Sequence, residues 1–151
     1  MIGWQGHQHD RDAGYRYPTA PPRPLPSDPG GPVLGMTDVV ATEPNDLGRY
    51  FIERANAGDV DGLVALYEPD AVLAFPPGNL ATGHAEIRKV YEQFVAAAPV
   101  LSPGRQPPAL MSGDLALTAS TLTTGVVTVE VARRQSDGSW LWVIDEPALV
   151  P

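Results

Sequence analysis

Two carboxylates stand in stretches that otherwise read as apolar strands. Glu130 lies in Val126-Val127-Thr128-Val129-Glu130-Val131, and Asp145 closes Trp140-Leu141-Trp142-Val143-Ile144-Asp145. Successive side chains of a strand point to opposite faces. Val126, Thr128 and Glu130 therefore share one face of the first stretch. In the second, Leu141, Val143 and Asp145 share a face, and Trp140, Trp142 and Ile144 form the other. If both acids enter one apolar pocket, desolvation raises their pKa values and mutual repulsion splits them, which suits general acid–base chemistry. Each has a plainer reading beside this one: Glu130 as a solvated residue on an exposed sheet face, Asp145-Glu146 as a strand end in water.

Other chemistries find little support. The chain has no cysteine, so thiol nucleophiles, disulfides and cysteine-ligated metal sites are excluded. It has no glycine-rich phosphate loop, no nucleophile elbow and no metal triad. His7-Gln8-His9-Asp10 is a weak metal motif in a proline- and glycine-rich context. His84 opens a helix, where a positive charge opposes the helix dipole, so a neutral surface role stands against a catalytic one. A reaction run by these residues needs neither cofactor nor metal.

Several elements must hold these groups. Leu47, Tyr50, Phe51, Arg54 and Ala55 have helical spacing, with Asn45 and Asp46 as possible caps and Gly58 as a stop. Asp59 caps a shorter helix carrying Val60, Leu63, Val64, Leu66 and Tyr67, which Glu68-Pro69-Asp70 ends. Ala71–Phe75 reads as a short strand closed by Pro76-Pro77-Gly78-Asn79. Ile87, Val90, Tyr91, Phe94 and Val95 form the apolar stripe of a third helix starting after Thr82-Gly83. The period then changes from 3.6 to 2. After an irregular lead-in over Leu101–Pro108, segments 115–124, 125–135 and 140–146 read as three strands of an antiparallel meander. Helices first and a curved sheet second make an α+β domain over residues 41–151.

Residues 1–40 read as a flexible tail. Its first 36 residues hold seven of the 17 prolines and six of the 15 glycines. The run Tyr17–Pro26 favours extended polyproline chain, a linker or a partner motif. Tail acids and bases cancel, so the formal charge of −8 falls on residues 37–151, where 15 acids face 7 bases. Such a surface disfavours nucleic acid and anionic membranes. No apolar run has the length of a membrane span and the first residues do not form a secretory signal, so the expected location is cytoplasmic.

The segment order and wording resemble the nuclear transport factor 2-like superfamily, which includes ketosteroid isomerases and SnoaL-like polyketide cyclases. The resemblance rests on Ala57–Val72, on Gly83-His84-Ala85-Glu86-Ile87-Arg88, on Gly113-Asp114-Leu115-Ala116-Leu117, and on Asp137-Gly138-Ser139-Trp140 before Trp142-Val143-Ile144-Asp145. It covers about residues 45–147 and implies a cone-shaped antiparallel sheet wrapped around N-terminal helices. It also implies that Glu130 and Asp145 face the cavity, which Phe51, Tyr67, Leu73, Phe75, Tyr91 and Thr128 would line. In ketosteroid isomerases a first-helix tyrosine, a strand aspartate and a sheet acid carry the chemistry. Here those positions fall on Phe51, Phe75 and Glu130. Phenylalanine neither donates a hydrogen bond nor takes a proton, so steroid-isomerase chemistry is not expected. The two tyrosines that support the oxyanion hole in one branch have counterparts in Tyr67 and Tyr91.

The expectation is therefore a domain binding a small hydrophobic or aromatic ligand. Any catalysis would be cofactor-free proton transfer of the isomerase, cyclase or dehydratase type, with Glu130 and Asp145 as the pair. A non-catalytic ligand-binding or dimerisation module is the alternative. A homodimer is expected through the sheet, with Trp140, Trp142 and Ile144 as an exposed apolar patch.

Overall fold

The computed structural model describes residues 39–149. The expectation of a flexible tail over residues 1–40 falls outside them, save for Val39 and Val40, as does the histidine motif. The elements run α1 (Asp46–Ala57), α2 (Val60–Val64), β1 (Tyr67–Leu73), β2 (Ala81–Thr82), α3 (Gly83–Ala96), β3 (Leu110–Ser112), β4 (Leu115–Thr121), β5 (Val127–Arg134) and β6 (Trp140–Leu149). The six strands form one sheet in the order β2-β1-β6-β5-β4-β3. Helices packed on one face of an unclosed, curved sheet give the expected α+β architecture.

The meander β4-β5-β6 is antiparallel, as its short turns require. The sheet as a whole is mixed, because β1 joins β6 in parallel. A strand on one side of the α3 crossover cannot reach β6 by a hairpin, so its direction is free to match.

Capping sets the helix limits. Gly58 adopts φ 71° at the end of α1, a left-handed conformation that favours glycine. The Asp59 carboxylate accepts from the Gly62 amide at 2.8 Å and starts α2. Gly62 is required there, since an added Cβ would stand 2.2 Å from Asp59 Oδ2. The second helix is shorter than its apolar spacing indicates. Leu66 and Tyr67 leave it, and Tyr67 begins β1, which runs on through Glu68-Pro69-Asp70 with a shifted register. Pro69 cannot donate within a helix but is tolerated in a strand irregularity.

Arg54 ties this corner together. It is buried on α1, and its guanidinium donates to the carbonyl of Gly62 at 2.7 Å and to that of Val39 at 2.6 Å. The group also lies over the Tyr50 ring. Burial pulls its pKa down, against the opposing pull of Asp59, Tyr50 and Glu53. Arg54→Met would keep the packed stem and strand two carbonyls, and a loss of about 2 kcal/mol in denaturant unfolding is expected. An unchanged midpoint would show that water replaces both bonds.

Candidate active site

One irregularity decides what faces the helices. On β5 and β6, Ala132 pairs with Trp142 and Val131 pairs with Ile144, so Val143 is an extra residue on β6. A bulge of this kind reverses the alternation beyond it. Trp140 and Trp142 therefore point inward before the bulge and Asp145 points inward after it, while Ile144 points out. The alternation expected for β6 is corrected accordingly. Trp140 and Trp142 are 2% and 3% exposed and belong to the core, so they cannot form an exposed patch with Ile144.

The bulge places Asp145 directly across from Glu130. Both acids are buried, at 5% and 7% exposure, which excludes the solvated readings. Cross-strand neighbours have Cβ atoms about 5 Å apart, so the two carboxyls share one low-dielectric region. Their hydrogen bonds differ. Thr118, paired with Glu130 across β4 and β5, donates to Glu130 Oε2 at 2.7 Å. Tyr67 donates to Asp145 Oδ2. Tyr67 and Tyr91 are also hydrogen-bonded to each other. A phenol has one proton, and that of Tyr67 goes to Asp145, so Tyr91 must donate to Tyr67. The result is a one-way chain, Tyr91 to Tyr67 to Asp145.

Electrostatics separate the two acids. Burial raises the Glu130 pKa, and the Thr128 and Thr118 hydroxyls pull it back. Burial also raises that of Asp145, the Glu130 charge adds to the rise, and the value reaches about 8 despite the Tyr67 bond. Glu130 thus ionises first, and its charge then holds the proton on Asp145. The two acids therefore differ in proton affinity, and Asp145 keeps its proton past neutral pH. Both tyrosines are pushed well above their ordinary value, first by burial and next by Asp145, so they remain neutral donors.

Tyr67 and Tyr91 were expected among the ligand-binding residues. Tyr67 and Tyr91 have spent their protons on one another and on Asp145, so neither has one left for a ligand. They fix Asp145 instead. His84 has a comparable supporting place at the start of α3, where its Nε2 donates to the Tyr67 carbonyl at 2.8 Å. Leu73 is fully buried in the core. Phe51, Phe75 and Thr128 are partly exposed, with Thr128 opposite Ser120. Phe51 lies in an aromatic cluster with Tyr91 (ring centroids 5.9 Å apart), Phe94 (6.3 Å) and Trp142 (6.0 Å). Phe75 meets Phe94 edge-on.

A surface cleft of about 420 Å³ opens where β1 and β6 end, lined by Ala74, Pro77, Asn79, Leu80, Glu146 and Leu149 among others. It contains none of the expected lining residues, although the Ala74 amide that borders it donates to the Asp145 carbonyl. Among the described residues no cluster of three or more His, Cys, Asp or Glu could hold a metal ion. No described helix is long and apolar enough to cross a membrane.

Sequence reasoning missed Thr118 and Trp142. The first was open to detection: a turn centred near Thr124-Gly125 pairs residue 118 with residue 130 by symmetry. The second needed the bulge.

Solved structures confirm the architecture. A Thiobacillus denitrificans protein named for the calcium/calmodulin-dependent protein kinase type II association domain superposes with a TM-score of 0.61. It is 17% identical and covers 75% of this chain and 99% of its own. A ketosteroid isomerase-like protein from Erwinia carotovora atroseptica gives a TM-score of 0.52 at 21% identity, over 67% of this chain and 88% of its own. An ntf2-like protein with a cystatin-like fold from Novosphingobium aromaticivorans gives 0.52 at 22%, over 72% and 80%. Identities this low establish the fold alone. A search of the curated proteins found no match. The SnoaL-like domain family model matches residues 48–146. This chain is a member of the SnoaL-like domain family.

Proposed function

We propose that the domain binds a small hydrophobic or aromatic molecule against its concave face and transfers a proton on it without a cofactor. Glu130 acts as base and Asp145 as acid. The observation that carries this is the cross-strand pairing of the two buried acids, Glu130 held by the Thr118 hydroxyl and Asp145 by that of Tyr67. Abstraction next to a carbonyl by Glu130, with Asp145 protonating or hydrogen-bonding the oxygen, is the step such a pair performs. The aromatic cluster supplies the apolar surroundings that keep both pKa values raised.

An exchange assay tests it without knowledge of the natural substrate. The protein should speed α-proton exchange of 2-tetralone in D2O, followed by NMR, and Glu130→Gln should slow that exchange about a hundredfold while leaving binding in place. Binding without exchange in the parent would remove the catalytic half of the reading. Absence of both would remove all of it.

A second reading, assembly, rests on the outer face of the sheet. Leu110, Leu117, Val131, Ile144 and Val72 lie in one row across β3, β4, β5, β6 and β1. Leu110, Leu117 and Ile144 are 69%, 43% and 50% exposed, with Leu115 alongside on the same face. A patch of this kind is costly to leave in water, and a second copy would cover it with its own row. The Thiobacillus neighbour named for an association domain has the same fold. Sedimentation of the parent should give a dimer, and Leu117→Arg a monomer with unchanged far-ultraviolet circular dichroism. A monomeric parent at tens of micromolar rules this interface out.

A further inference from the structure

Among the described residues, the Trp142 indole Nε1 is buried without a hydrogen-bond partner. A stranded buried donor of this kind is destabilising and calls for an explanation. Its place in the fold supplies one. The bulge at Val143 puts Trp142 on the same inward face as Asp145. Its ring lies 5.2 Å from that of Tyr67, whose hydroxyl holds Asp145, and 6.0 Å from that of Phe51. Every nearby phenol proton is already spent, so the indole is the uncommitted donor beside the acid pair. Phe51, which packs on it from α1, is itself partly exposed.

We propose that the Trp142 indole N–H anchors the ligand of this site, and that the ligand is a flat apolar molecule carrying a carbonyl oxygen. This rests on the reading that the concave face takes a ligand. The carbonyl accepts from Nε1 while the carbon skeleton replaces ring contacts of the aromatic cluster. Trp142 is then a specificity-determining residue, separating ketones from hydrocarbons of the same shape.

A matched pair of probes tests this: 2-acetonaphthone and 2-isopropenylnaphthalene, which differ by an oxygen in place of a methylene group. The parent should bind the ketone about three- to tenfold more tightly than the alkene. Trp142 replaced by 3-benzothienylalanine, which keeps the bicyclic shape and lacks the N–H, should bind both equally and the alkene as well as the parent does. Trp142→Phe should lose the preference too. Preference retained in both variants would assign the donor elsewhere and overturn the proposal. Equal binding of the two probes by the parent would also overturn it, while leaving the apolar-ligand reading intact. Binding of neither probe would overturn both. Melting of the ligand-free proteins gives an independent check. The benzothienyl variant should melt at or above the parent temperature, and a fall of several degrees would reveal a hidden partner and overturn the proposal.

Discussion

Asp145→Asn should flatten the pH dependence of folding. The parent binds a proton at Asp145 with a folded pKa of about 8, against an ordinary value of 3.8. Below pH 4 the carboxyl is neutral in both the folded and unfolded chains, and no penalty exists. Between about pH 4 and pH 8 the unfolded chain releases its proton while the folded chain keeps it, so stability falls as pH rises. Above pH 8 both forms are ionised and the loss levels off. The span amounts to on the order of 4 kcal/mol by pH 7. Asparagine has no proton to lose, accepts from Tyr67 as the acid does, and can donate to Glu130. The variant should therefore match the parent near pH 4 and exceed it in stability at pH 7. Urea unfolding at the two pH values decides it. Parallel pH profiles for the two proteins would mean that Asp145 is ionised at neutral pH, and the neutral acid would disappear from the proposed mechanism.

The same measurement separates a structural from a catalytic account of the pair. A fold gains nothing from a buried carboxyl whose replacement stabilises it, so retention of such a group points to chemistry or recognition. Glu130 is the less strained of the two, because threonine hydroxyls from β4 and β5 serve it. That difference gives the pair its polarity, with the base on β5 and the acid on β6.

How far this site was legible depended on where the chain keeps its regular period. On β5 the alternation is unbroken from Val127 to Ala132, so the face that Glu130 shares with Thr128 could be read directly, and the family resemblance turned that face inward. On β6 the extra residue at Val143 breaks the alternation. Asp145 was placed inward correctly, but with the wrong companions, and the tryptophans were assigned to the outer face. Nothing in the local sequence marks the bulge, since every residue from Trp140 to Ile144 is apolar. Tyr67 shows a second limit. Val60, Leu63, Val64, Leu66 and Tyr67 satisfy a helical template, yet the pairing of Tyr67 with Trp142 on β6 wins over local spacing. The family resemblance gave the fold because turn and cap residues recur along its length. It could not give the direction of the tyrosine chain, which depends on where single protons sit.

That direction makes the two tyrosines unequal. Tyr91 is the terminal donor, so Tyr91→Phe removes one bond and leaves the Tyr67 oxygen with an unused lone pair, at a cost of about 1 kcal/mol. Tyr67→Phe removes the bond to Asp145 and also strands the buried Tyr91 hydroxyl proton, at a cost of about 3–4 kcal/mol. It should raise the Asp145 pKa further, because the Tyr67 bond lowers it. The decline of stability with pH should then extend above pH 8 in Tyr67→Phe relative to the parent. In the double variant with Asp145→Asn, the share of the pH dependence that belongs to Asp145 should vanish, leaving that of the buried Glu130, while the stranded Tyr91 proton still costs stability. Equal losses for Tyr67→Phe and Tyr91→Phe, with no change in the pH profile of either, would show that the protons do not run from Tyr91 through Tyr67 to Asp145. The acid would then be held by burial alone.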